Sequence, residues 1–377
     1  MEIYTQICLF RDLFVSLHKN SSSSWSLILA KIWPKEFIGL YGCETWDLPK
    51  SPASYISFPS PAFPDLGTGN FAFSASSNGL VLMEGSGYGC YVGNPVLQQW
   101  VEIPSCPYKS LWFGFLTRVD EDGVVLSFTV VRVNDTPLTY FHVFMYSSET
   151  GIWTSKSLHH LNYTAYSSSP MSLNGMHYFL SQLDVDEPEE LIAHDFFSES
   201  HHYRAIHFPD RLHHYSRDFK RALTTSRGYL MYIKTLARKR DNSDIGSFAP
   251  MAMHPFDSDT VYIWGQQNRC MVSCNLRTQN CKMLGDASKG YNDDVFMNQY
   301  NCQGKMDKIY GHHESGYRFG TAVVLSQFVL PRWMESIPCP PNVKMIDTTS
   351  LLSYITLVQK TKREKGEGKK VVWVQTE

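Results

Sequence analysis

Four short turns, each ending in glycine and followed by an apolar run, recur along the chain at nearly even intervals. They are Asn78-Gly79, Asp122-Gly123, Asn174-Gly175 and Arg227-Gly228, and the glycines are 44, 52 and 53 residues apart. A second marker has the same period: a polar turn followed by a bulky or buried side chain. It runs from Asn94-Pro95 to Trp100, from Ser147–Gly151 to Trp153 and from Asn275–Thr278 to Cys281, with Asp195 to Tyr203 as a looser copy. Trp100 and Trp153 are 53 residues apart, and Trp153 and Tyr203 are 50 apart. Between the markers lie short runs rich in β-branched and aromatic residues, such as Gly79–Met83, Val124–Val133, Tyr140–Tyr146 and Thr260–Trp264. Few of them are long enough for a helix.

Strand follows strand with little helical periodicity, which predicts an all-β fold. A repeat of about 50 residues is the period of a kelch-like β-propeller blade, and the remaining length suits six or seven blades. The physics of a blade accounts for both markers. A four-stranded meander needs tight hairpins, and Asn-Gly or Asp-Gly supplies the positive φ they require. Each blade also packs face to face on its neighbours, so a large side chain at a fixed strand position fills that interface. Trp100, Trp153, Tyr203 and Cys281 are the expected blade-packing residues. A two-sheet sandwich with coincidental spacing is the competing arrangement.

The front of the chain has a different pattern. Ile3, Ile7, Phe10, Phe14 and Leu17 fall on one face of a predicted helix. Ser24 is placed to cap a second helix through Trp25, Leu27 and Ile28, ending at Pro34. A short helical segment over residues 1–45 is therefore expected, then a Pro-rich linker over 46–65, then the propeller over 66–377. Neither a signal peptide nor a membrane span is expected, since Glu2 and Arg11-Asp12 interrupt the only early apolar run.

The charge balance narrows the function. The 377 residues carry 34 Lys+Arg against 36 Asp+Glu, a net charge of -2, which argues against nucleic acid or an anionic membrane as partner. Nine thinly spread cysteines predict a reducing compartment, cytoplasm or nucleus. Cys270, Cys274, Cys281 and Cys302 match no zinc-knuckle spacing and are expected as small buried hydrophobes. No metal, no cofactor and no catalytic residues are expected, because no P-loop, nucleophile elbow or metalloprotease motif occurs. For a propeller glycosidase, the alternative of another class, Asp195, Asp259 and Glu335 are scattered candidates without a supporting motif.

Three stretches carry a family resemblance. Ser76–Leu82 with Tyr91–Pro104, then Val143–Trp153, then Leu173–Leu180, occur in the order and spacing of the plant F-box-associated β-propeller. The resemblance implies a non-enzymatic substrate-recognition subunit of an SCF-type cullin ubiquitin ligase. In that family a front F-box docks on a Skp-type adaptor, and the propeller captures the protein to be ubiquitylated. Here no Leu-Pro precedes Leu48-Pro49, and Trp25–Ile28 resembles only the closing part of an F-box, so the front reads as degenerate or truncated. Ile3, Ile7, Phe10, Phe14, Leu17, Trp25, Leu27 and Ile28 are the residues to which adaptor binding would be assigned. A stand-alone propeller scaffold without adaptor binding is the second expectation.

Overall fold

The computed structural model describes residues 25–32, 35–42, 72–84, 89–107, 112–133, 140–159, 171–181, 190–200, 202–207, 219–236, 248–265, 270–283, 323–329 and 335–347. Among these there are strands and turns and no helix. The first strands are β1 (Trp25–Ile32) and β2 (Lys35–Gly42). A meander follows of β3 (Ala72–Ser77), β4 (Leu80–Glu84), β5 (Cys90–Asn94) and β6 (Gln99–Ile103). The next consists of β7 (Trp112–Val119), β8 (Val125–Val133), β9 (Tyr140–Ser147) and β10 (Ile152–His159). A third has β11 (Met171–Leu173), β12 (Met176–Ser181), β13 (Glu190–Asp195) and β14 (Arg204–His207). The pair β15 (Phe219–Ser226) and β16 (Tyr229–Leu236) precedes a fourth meander, β17 (Phe248–Met253), β18 (Thr260–Gly265), β19 (Cys270–Asn275) and β20 (Cys281–Met283). Last come β21 (Val323–Val329) and β22 (Met345–Asp347).

Each meander forms an antiparallel sheet in simple sequence order, the first with β22 added beside β6, and neighbouring sheets meet through their first strands. Contacts run from β3 to β7, β11, β15, β17 and β21, and from β21 back to β3. The fold is a β-propeller. The ring closes where β21 joins β1 and β2 in one sheet, so the front and back of the chain share a blade.

Burial shows why these sequences stay in register. In β8 the run Ser127–Arg132 is buried without alternation, because both faces of the blade are covered. Val130 joins Leu80, Leu82, Val92 and Val101 of the preceding sheet, while its neighbour Val131 packs with Ile192 and Phe196 of the following one. The same sandwiching recurs where Met231 and Ile233 of β16 meet Val261 and Val272. Burial of each such side chain contributes about 1.5–3 kcal/mol.

The expected helix through Trp25–Ile28 is a strand. β1 pairs along its length with β2 and with β21, and it is buried on opposite faces by Trp25 and Ile28. Residues three apart on a strand point to opposite sides. Trp25 stacks on His254 at 4.4 Å and Tyr262 at 5.7 Å in the β17–β20 sheet. The propeller therefore begins at β1, ahead of the expected start at residue 66. Ile3, Ile7, Phe10, Phe14, Leu17 and the Pro-rich stretch 46–65 lie outside the described residues.

A polar clasp ties the closing strand to its neighbours. The Thr225 hydroxyl donates to Gln327 Oε1 at 2.6 Å, and Gln327 Nε2 donates to the carbonyls of Thr225 at 2.8 Å and Met253 at 2.5 Å. The Ser76 hydroxyl donates to the Gln327 carbonyl at 2.8 Å. One residue of β21 thus holds β3, β15 and β17. Replacing Gln327 by Ala is expected to cost about 1–3 kcal/mol, since several groups lose their partners at once. The measurement is a lower urea midpoint with unchanged slope, and an unmoved midpoint would show the clasp to be incidental.

Candidate functional site

The turns after the first and third strand of every meander lie at one end of the propeller. Three of the first kind are two-residue hairpins with both central residues at positive φ: Asn78 (45°) with Gly79 (78°), Asn174 (51°) with Gly175 (77°), and Arg227 (50°) with Gly228 (76°). That conformation matches strand twist and favours Asn-Gly. The turns around Gly123 and between β17 and β18 are longer, and in the former the Asp120 carboxylate accepts the amides of Asp122 at 3.0 Å and Val124 at 2.9 Å.

The turns of the second kind explain the six-residue marker. Asn94 Oδ1 accepts the amides of Val96 and Leu97 at 3.0 and 3.1 Å, and Asn275 Oδ1 those of Arg277 and Thr278 at 3.1 and 2.9 Å. The Ser147 hydroxyl accepts the Glu149 amide at 3.2 Å. The fifth residue of each turn, Gln98, Gly151 or Gln279, is left-handed. The chain then re-enters a strand with the sixth residue beyond the cap directly opposite the residue before it: Trp100 faces Gly93, Trp153 faces Tyr146, and Cys281 faces Cys274. Asp195 caps its turn in the same way, accepting from Phe197 and Ser198 at 2.8 and 3.2 Å.

These cross-strand positions differ in what they do. Trp100 is fully buried over Gly93. Trp153 packs on the cluster between its own sheet and the preceding one, and its indole N–H donates to the Pro104 carbonyl at 2.8 Å. Tyr203 packs on the cluster between the β7–β10 and β11–β14 sheets. Cys281, expected to fill an interface, is exposed and bonded to Cys274 in a disulfide, because two facing cysteines on paired strands are within bonding reach. The expectation of free thiols at these two positions is thereby corrected.

Above this framework the turns build an exposed surface. Nine large apolar side chains are exposed among the described residues, and all but Met283 and Met345 lie at this end. Val119, Leu126 and Ile152 belong to the β7–β10 sheet and Phe197 to the β13–β14 turn, while Tyr229, Phe256 and Leu276 come from the next two sheets. Arg118 pairs with Glu149 at 3.2 Å and lies 5.3 Å over the Phe197 ring, bridging two blades. Arg227 donates to the Phe256 carbonyl at 3.1 Å, and Arg277 pairs with Asp259 at 3.0 Å. The Thr260 hydroxyl, then the Asp259 amide, hold the Asp257 carboxyl below its usual range.

Beneath this surface the β11–β14 sheet holds a pair of buried histidines. His177 accepts or donates at 2.9 Å to the Ser172 hydroxyl, and burial, reinforced by neighbouring His194, pushes its pKa down to about 3. His194 Nδ1 donates to the His202 carbonyl at 3.0 Å, which leaves Nε2 to accept from Lys156 Nζ at 3.4 Å. Both rings stack edge-on against Phe196, so they are interior polar bolts without access to a ligand.

Of the adaptor-binding candidates, Trp25 and Ile28 are buried inside the propeller and present nothing to a partner, and Leu27 lies on the same strand. Asp195 and Asp259 occupy turns of different sheets, and Glu335 lies ahead of β22, so no carboxylate pair forms from them. Among the described residues no group of His, Cys, Asp or Glu side chains converges as a metal site. Sequence reasoning missed Gln327 and the Arg118–Phe197 bridge, since both act on residues far away in the chain. Only the neighbouring turn markers hinted at where they would lie.

Comparison with known proteins agrees with this architecture. The family model described as F-box protein At3g26010-like, beta-propeller matches residues 23–245 and 240–339. The Arabidopsis thaliana F-box protein At3g26010 is 44% identical over 93% of this chain and 87% of its own length. An Arabidopsis thaliana protein named as F-box/kelch-repeat, At4g22430, is 43% identical over 92% of this chain and 88% of its own. The Arabidopsis thaliana F-box protein At1g49990 is 35% identical over 88% and 90%. None of these relatives is named as an enzyme.

Proposed function

Because the chain belongs to the F-box β-propeller family of the At3g26010-like type, we propose that it is a non-enzymatic substrate-recognition subunit of an SCF-type cullin ubiquitin ligase. The observation that carries this reading is the extent of the match: relatives named as F-box proteins align over nine-tenths of the chain. An F-box implies docking on a Skp-type adaptor, and a rigid ring of strands that displays loops and turns suits the capture of a target protein. Cytoplasm and nucleus are the compartments in which that work is done.

Residues 1–22 precede both β1 and the family match, so they are the segment to remove in a test. The full chain is expected to retain a plant Skp-type adaptor in a pull-down with purified proteins, and the chain lacking residues 1–22 is expected to lose it. If neither retains the adaptor, the ligase reading falls and a stand-alone propeller interaction protein takes its place.

A further inference from the structure

Charge is distributed unevenly over the turn end of the propeller. On the turns of β15–β20, Arg227 and Arg277 balance Asp257 and Asp259. On those of β7–β14 the described carboxylates Asp120, Glu121, Asp122, Glu149, Asp195 and Glu199 outnumber three cations, Arg118, Lys156 and Arg204. Two of the three are drawn in, while Arg204 at the start of β14 is exposed. Arg118 is paired with Glu149, and Lys156 turns inward to the Ser198 carbonyl at 2.8 Å and to His194, while burial lowers its pKa.

The same arc exposes apolar surface that a free monomer gains nothing by displaying. Leu126 is 55% exposed, Ile152 57% and Phe197 39%, all at the turn end of two blades that the Arg118 bridge holds together. An apolar ridge among surplus carboxylates is complementary to a chain that brings both cations and apolar anchors. It repels phosphate-bearing partners.

We infer that the turns of β7–β14 form the docking surface for a basic segment of a partner protein, in which Lys or Arg side chains flank at least one large apolar residue. The inference rests on the reading that the propeller captures a protein. Glu121 and Glu199 are exposed on the β7–β8 and β13–β14 turns and supply charge there. Leu126 and Phe197 supply the apolar contact.

The test is to pan a displayed library of short random peptides against the full chain. Enriched peptides are expected to carry an excess of Lys and Arg together with a large apolar residue. A representative enriched peptide, followed by fluorescence anisotropy, is expected to bind about tenfold more weakly to Glu121→Lys/Glu199→Lys, and more weakly as salt is raised. Leu126→Ser/Phe197→Ser is expected to weaken it comparably, with the melting curves of both variants matching the parent. Acidic or uncharged enrichment, binding that survives the charge reversal, or no enrichment at all would overturn the inference. Adaptor pull-down reads a different part of the chain. Success there with failed panning removes this surface alone, and the reverse outcome removes the ligase reading alone.

Discussion

Removing residues 1–45 is expected to abolish the cooperative melt of the propeller, whereas removing residues 1–22 is expected to leave it intact. The longer deletion takes away β1 and β2, leaving β21 without its partners in the closing sheet. It also removes Trp25 from its contacts with His254 and Tyr262, and Ile28 from a fully buried site. Those two side chains alone contribute about 3–6 kcal/mol by area, before the hydrogen bonds of seven paired residues on the β21 side are counted. Set against a net stability of about 5–15 kcal/mol, that loss is enough to open the ring. Thermal unfolding followed by circular dichroism, with limited proteolysis of the β21 region, reads the outcome. If both truncated chains melt like the parent, the front strands are accessories and the closure described above is wrong.

The contact between Gly93 and Trp100 is expected to give the largest effect of any single site, and it can be tested in a form that a general loss of stability does not mimic. A Cβ on Gly93 would lie 2.0 Å from Trp100 Cε3, far inside van der Waals contact. The indole is fully buried, so it has no free volume to retreat into. Gly93→Ala is therefore expected to cost about 3 kcal/mol or more through forced displacement, and Trp100→Ala about 3–5 kcal/mol through the cavity it leaves. The double variant should cost much less than the sum, because the ring that the new methyl would strike has gone. Denaturant unfolding of the four proteins measures the coupling. Additive losses would show that Gly93 is required for another reason.

The legible part of this fold is the part encoded in neighbouring residues. Asn78-Gly79 and Asn174-Gly175 take the left-handed conformations that their identity anticipates, and at Arg227-Gly228 the glycine alone anticipates them. The six-residue marker follows from a side-chain cap, a left-handed fifth residue and a fixed register across the hairpin. The runs expected as strands near Gly79–Met83, Val124–Val133, Tyr140–Tyr146 and Thr260–Trp264 coincide with β4, β8, β9 and β18 to within a residue at either end. Trp25–Ile32 differs from its expected helix because its apolar run, Leu27–Ala30, is too short to show a period. A strand covered on both faces and a buried helix then look alike.

Family membership and the repeat were within reach of the sequence, since blade turns and strand patterns are local and recur. The residues that would dock a partner were only partly so. Each exposed side chain of the turn end could be placed on its own hairpin, but Arg118 meets Phe197 only because two blades stand side by side. By itself the amino-acid sequence determined the strands of the repeating meanders, their turns and the period that makes them blades, because hairpin chemistry acts over six residues or fewer. The tertiary structure alone decided that β1 closes the ring with β21, that Gln327 clasps three other strands, and that Cys274 and Cys281 are bonded rather than free. It also decided which charges remain in surplus on one arc of the surface. Each of those outcomes depends on which sheets become neighbours, and that is set by packing across hundreds of residues, beyond what any local pattern specifies.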